Sequence, residues 1–211
     1  MKKTIISLLA AGVLSSVATA QLYIVQGGGT GVKAEFNFTI NDVANTVTVD
    51  IDNTILGDGG AQGSITGFGF NVPDSLDVSL VTFTAAGGAG FVAASWSLGP
   101  DFDLEPGYDQ DLGVTGSPQP NTIQWGTTAQ FVFSFNQDFT GTDGFLGANA
   151  LSVRFQSIEN SINPESSDKV FGNPDEGGGG GLGSVPEPST YGMFGALALL
   201  GMMVVRQLRR R

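Results

Sequence analysis

The stretch Val32-Lys33-Ala34-Glu35-Phe36-Asn37-Phe38-Thr39-Ile40 decides the fold. Apolar and polar residues alternate through it with a period of two. That spacing predicts a strand with one buried face, carrying Val32, Ala34, Phe36, Phe38 and Ile40. Thr46 to Asp52 repeats the pattern, with Val47, Val49 and Ile51 set against Thr46, Thr48, Asp50 and Asp52. Asn41 to Asn45 lies between the two runs. Its Asn and Asp residues supply turn geometry, so the pair reads as a hairpin.

The same reading extends outward along the chain. Gly57 to Gly63 is a loop, and Ile65 to Phe70 is a strand whose glycines predict a bulge or a close backbone approach. Leu76 to Thr84, Phe91 to Leu98, Asn121 to Trp125, Phe131 to Phe135 and Leu151 to Phe155 are further β-like runs. Lys169 to Phe171 is read as a short edge strand. Gly99 to Pro120 is read as a long connection, and Asp138 to Gly147 as a polar loop. The body shows no amphipathic helical period. The fold class expected is all-β: an antiparallel β-sandwich or jelly roll of about nine strands.

Charge and missing residues narrow the chemistry. Of nine basic residues, Lys2, Lys3, Arg206, Arg209, Arg210 and Arg211 lie near the chain ends. Between residues 21 and 184 only Lys33, Arg154 and Lys169 face nineteen acidic residues, a net charge of −16. Such a surface repels nucleic acid, and no nucleic-acid partner is expected. The chain has no cysteine and no histidine. Disulfides, Ser-His-Asp and Cys-His nucleophiles, and imidazole- or thiolate-based metal sites are therefore excluded. Carboxylate chemistry and oxygen-ligand cations remain.

The two ends read as targeting segments. Lys2-Lys3, the apolar run Ile5 to Val17 and the small-x-small site Ala18-Thr19-Ala20 form a signal peptide over 1–20. It would form a signal helix cleaved before Gln21, which implies the Sec machinery and signal peptidase as partners. The body is expected over 21–172, followed by a glycine-rich linker over 173–184 that contains Gly177 to Gly181. The tail, 185–211, has three parts. Val185-Pro186-Glu187-Pro188 is a short signal, 189–205 is an apolar transmembrane helix, and Arg206, Arg209, Arg210 and Arg211 form a basic cytoplasmic end that stops transfer. The 17-residue apolar segment spans roughly 25 Å as a helix, against a hydrocarbon core of about 30 Å. Such a helix is marginal as a permanent anchor.

This tripartite tail resembles the PEP-CTERM sorting domain of exported proteins of Gram-negative bacteria. The resemblance implies processing by an exosortase-type membrane protease. It also implies a transient inner-membrane intermediate with the body outside the cytoplasm, then delivery to the cell surface or the extracellular polysaccharide matrix. Asp50 to Thr54, Ile65 to Asn71 and Arg154 to Ser157 are similar to stretches of the β-rich domains that precede such tails. That likeness implies an exported β domain and no activity.

Within the body, Asp101, Asp103, Glu105, Asp109 and Asp111 form the densest acidic cluster and are the candidate Ca²⁺ ligands. The cluster departs from the EF-hand pattern: Gly107 falls at position seven and Leu112 at position twelve. A solvated acidic loop is the competing reading, with no cofactor at all. Trp96, Trp125, Tyr23 and Tyr108 are candidates for carbohydrate contact, with a core role favoured for the two tryptophans. Asn37-Phe38-Thr39 fits a glycosylation sequon and is read as strand pattern. Three functions compete: a non-enzymatic structural or adhesive surface protein, a carbohydrate-binding module of the matrix, and an acidic glycan hydrolase built on paired carboxylates.

Overall fold

The computed structural model describes residues 18–103, 109–117, 121–139, 145, 150–163 and 166–174. The expected signal peptide up to residue 17, the linker beyond Pro174 and the whole tail lie outside the described residues. Among the described residues no helix is long and apolar enough to cross a membrane.

Ten strands form one antiparallel sheet: β1 Ala18–Gln26, β2 Lys33–Asn41, β3 Thr46–Asp52, β4 Gln62–Phe70, β5 Thr82–Gly87, β6 Trp96–Asp103, β7 Asp109–Gly116, β8 Thr128–Ser134, β9 Leu151–Glu159 and β10 Ser167–Pro174. Their spatial order is β5-β8-β3-β2-β1-β10-β9-β4-β7-β6. The all-β antiparallel expectation therefore holds. The two facing layers, however, are made by one sheet that curls over itself.

The curl follows from the alternation. On β2, Ala34, Phe36, Phe38 and Ile40 are buried, while Lys33, Glu35, Asn37 and Thr39 are partly exposed. Val47, Val49 and Ile51 of β3 and Ala129, Phe131 and Phe133 of β8 bury the same face. Opposite them stand Phe68 and Phe70 of β4. Phe68 meets Phe36 at 5.5 Å and Phe131 at 5.0 Å, while Phe70 meets Phe38 at 5.4 Å and Phe133 at 5.0 Å, all edge-on. Strands separated by three others (β2 and β4) or five others (β8 and β4) along the sheet thus touch across the interior. Such ring pairs add roughly 1 kcal/mol each beyond the area they bury.

The first hairpin is as expected. Asn45 takes a positive φ of 51°, and the Ala44 N–H donates to the Asn41 side chain at 2.9 Å. The glycines of β4 mark irregular register, with shifts at Gln62/Ser64 and Ile65/Gly67. Asn53, fully buried after β3, donates its amide to the carbonyls of Gly63 and Ile123 at 2.9 and 3.2 Å. It locks the end of β3 to β4.

Several boundaries differ from expectation. The connection expected over Gly99 to Pro120 contains the β6–β7 hairpin, paired from Trp96↔Gly116 to Asp103↔Asp109. Pro100 and the glycines hid it, but β6 is an edge strand, where a missing N–H costs no ladder bond. β10 is longer than expected and is no edge: it lies between β1 and β9 and pairs with both, so that among the described strands it is the seam between the two halves of the sheet. Its last residues, Asn173 and Pro174, pair with Ile24 and Tyr23. The β-like run at Leu76 to Thr84 starts with a 3-10 turn, Val78–Leu80, and becomes strand only at Thr82. Asp77 causes this by accepting the Ser79 N–H at 3.0 Å and the Ser79 hydroxyl at 2.6 Å, a local bond that competes with extension. Asn121 to Trp125 forms only a bridge, Ile123 with Ile65. The polar loop after Asp138 carries two buried rings, Phe139 and Phe145, packed on Phe135 at 5.5 and 5.7 Å.

Two expectations follow. Phe68→Ala removes the ring shared by both halves and should cost about 3–5 kcal/mol, read as a lowered urea midpoint. The Ser79 hydroxyl and amide hold the Asp77 carboxyl below its ordinary 3.8. A lowered folded value gives stability that is present above the unfolded value and lost as pH falls through the folded one. An NMR titration should place the Asp77 midpoint below 3.8, and Asp77→Ala should flatten the acid limb of the stability curve there.

Candidate functional site

The acidic cluster singled out in the sequence sits on the β6–β7 hairpin. Asp101 and Asp103 end β6, Asp109 and Asp111 open β7, and Asp103 pairs with Asp109. Glu105 and Tyr108 lie outside the described residues. The Asp111 carboxylate accepts the Val72 N–H at 3.0 Å, tying β7 to the segment after β4. This carboxylate therefore has a structural task. Among the described residues, no group of three acidic side chains is placed to hold a metal ion.

The candidate sugar-contact aromatics separate. Tyr23 is buried in the core against Phe38 at 5.4 Å. Trp96 is buried and packs on Phe131 at 5.0 Å and on Phe91 at 5.8 Å. Trp125 is 37% exposed, which corrects the core role expected for it. It sits in a turn completed by Gly126 at a φ of 83°, so the chain reverses and leaves the ring at the surface.

A groove of about 430 Å³ lies on the outer face of β1, β2, β3, β8 and β5. Strand alternation sends Glu35, Asn37, Asp50, Asp52, Thr128 and Gln130 to this face, and pairing brings them together. Glu35 stands opposite Asp52, and Asn37 opposite Asp50. Asp50 accepts the Gln130 amide at 2.7 Å, and Asp52 accepts the Thr54 N–H at 2.8 Å. The like-charged Glu35–Asp52 pair is mildly unfavourable by itself. The groove offers acceptors in excess and suits hydroxyl-rich or cationic groups. The sequence shows that these side chains face outward, but their convergence depends on the β3–β8 pairing, which brings together residues about eighty positions apart.

Ala18, Thr19 and Ala20, the expected peptidase site, are the first residues of β1 and pair with Asn41, Ile40 and Thr39. Gln21 pairs with Phe38 within the same strand. The residues Val185, Pro186, Glu187 and Pro188, the apolar segment and the terminal arginines lie outside the described residues.

Comparison with known proteins bears on that tail. No curated protein and no solved structure is significantly similar to the chain. A family model described as the PEP-CTERM protein-sorting motif matches residues 184–211, the tripartite tail plus one residue. The chain therefore carries a PEP-CTERM protein-sorting motif at residues 184–211, the mark of an exported protein sorted by an exosortase-type membrane protease.

Proposed function

We propose that the β body is a non-enzymatic surface or matrix component, structural or adhesive in role, delivered by a removable tail. The sorting motif at 184–211 carries this reading. The N-terminal segment is the address for Sec export, with signal peptidase cutting between Ala20 and Gln21. That cut trims three residues from β1 and leaves Gln21–Gln26 paired with β2. The exosortase-type protease then cuts beside Pro186-Glu187-Pro188. The reading needs no cofactor, and it supports no Ca²⁺ role for Asp111, whose carboxylate already holds the Val72 N–H.

A carbohydrate-binding role is the second reading. The outer-face groove favours it, because amide and carboxylate side chains converge there on a concave surface. A hydrolase finds less support. Asp50 and Asp52 each already accept a hydrogen bond from the fold, from Gln130 and Thr54.

Mass spectrometry of the protein from its native host should find a C-terminus near Ser189. Arg211 retained in the mature surface form would refute processing. Glu35→Gln relieves a like-charge pair and should stabilise the body by roughly 0.3 kcal/mol at low ionic strength, an effect that fades with added salt. If Glu35→Gln instead abolished a glycan-hydrolysing activity of the wild type, the non-enzymatic reading would fail.

A further inference from the structure

The two edges of the sheet differ in how they meet solvent. At one edge stands β6, which carries Pro100 and the acidic residues Asp101 and Asp103. A proline without an N–H and a row of carboxylates both keep a foreign strand from adding to an edge. At the other edge stands β5, Thr82-Phe83-Thr84-Ala85-Ala86-Gly87, with no proline and no charge. Its register with β8 runs unbroken from Thr82↔Ser134 to Gly87↔Ala129, so no bulge twists it away. An antiparallel ladder spends the N–H and C=O of every second residue on one neighbour and turns the rest to the other side. Among the described residues no strand and no other backbone group bonds to the outer side of β5. Thr82, Thr84, Ala86 and Gly87 are exposed.

The surroundings of this edge are neutral in a body that is not. Residues 21–184 carry a net charge of −16, yet residues 78–100 and 112–137 contain no charged residue. The first run holds β5, and the second holds β8 beside it. Leu80 and Val92, just before and just after β5, are exposed at 44% and 41%. Phe83 stacks on Phe131 at 6.1 Å but is only half-buried, because β5 is the last strand on its side of the sheet. Along the sheet, the first carboxylates met are those of Asp50 and Asp52 on β3, two strands in.

We infer that β5 pairs with β5 of a second copy of this chain, antiparallel across a twofold axis, so that two sheets continue as one. A twofold contact sets one patch against itself, and a strand that meets its own copy this way runs antiparallel, as the pairs within the sheet do. On the outer face Thr and Ala then meet Thr and Ala, so no like charges stand opposite each other. On the inner face Phe83 of each copy gains the neighbour it lacks. Charge selects the partner. Two bodies of −16 repel each other over their acidic faces, and this neutral edge is where they can approach. In the joined sheet Asp50 and its copy stand five ladder steps apart, roughly 24 Å, or about three Debye lengths at about 0.15 M salt. A cationic partner would instead be drawn to the acidic faces and find nothing to meet at β5. The contact gives the structural role proposed above a partner, but it rests on the edge alone.

The test uses the full-length chain in mild, density-matched detergent. Sedimentation equilibrium should find a dimer whose share grows with protein concentration. The share should also grow with added salt, which screens the repulsion between two acidic bodies. Thr84→Glu sets like charges at the centre of the contact and should weaken the dimer about tenfold. Val43→Glu adds the same charge in the exposed β2–β3 turn and should change nothing. The chain has no cysteine, so Thr84→Cys supplies a single thiol. A short bismaleimide should link that thiol to its copy and should not link Val43→Cys. A monomer at every concentration, a dimer weakened by salt, equal loss in Val43→Glu, or equal linking of Val43→Cys would each overturn the inference. So would a dimer untouched by Thr84→Glu, which would point to the apolar tail as the contact. The cross-link leaves the edge uncharged and decides the matter even if Thr84→Glu fails to fold. Sorting is read separately from the C-terminal mass of host protein, so either can fail alone.

Discussion

Everything in the body depends on aromatic side chains closing the space between the two halves of one sheet. With no cysteine in the chain, no covalent bond braces that closure. Phe68 and Phe70 on one half meet Phe36, Phe38, Phe131 and Phe133 on the other, mostly edge-on at 5.0–5.5 Å. Trp96, near one edge of the sheet, reaches Phe131 on the strand next to the opposite edge. The rings therefore do more than fill volume. Because the contacts link strands far apart in the sheet, they set how tightly it curls.

That geometry explains which parts of the fold could be read in advance. β2, β3 and β8 face the core with one side and solvent with the other, so their alternation is clean and legible. β4 is buried along nearly its whole length, and glycines replace its outward side chains. Its period was weaker, but its irregular register was foreshadowed by those glycines. The β6–β7 hairpin was missed because glycine, proline and aspartate dominate it. What makes it strand is the pairing to β4, a contact between distant segments. β5 was set too early because the Asp77–Ser79 bond turns the chain first. The sorting motif at 184–211 was legible, since its parts are consecutive and their order carries the meaning.

The candidate sites divide along the same line. The acidic run from Asp101 to Asp111 was conspicuous because its members are close in sequence. The groove around Glu35, Asp50 and Asp52 was not. It assembles residues from separate strands, and only the register says which side chains become neighbours.

The place of β10 has a consequence for the order of events outside the cytoplasm. β5, β8, β3, β2 and β1 form one half of the sheet, β9, β4, β7 and β6 form the other, and β10 is the seam between them. It is also the last strand of the body in chain order. In a chain exported N-terminus first, this seam strand would be the last of the body to emerge, so its ladders with β1 and β9 would form only after the other strands had passed.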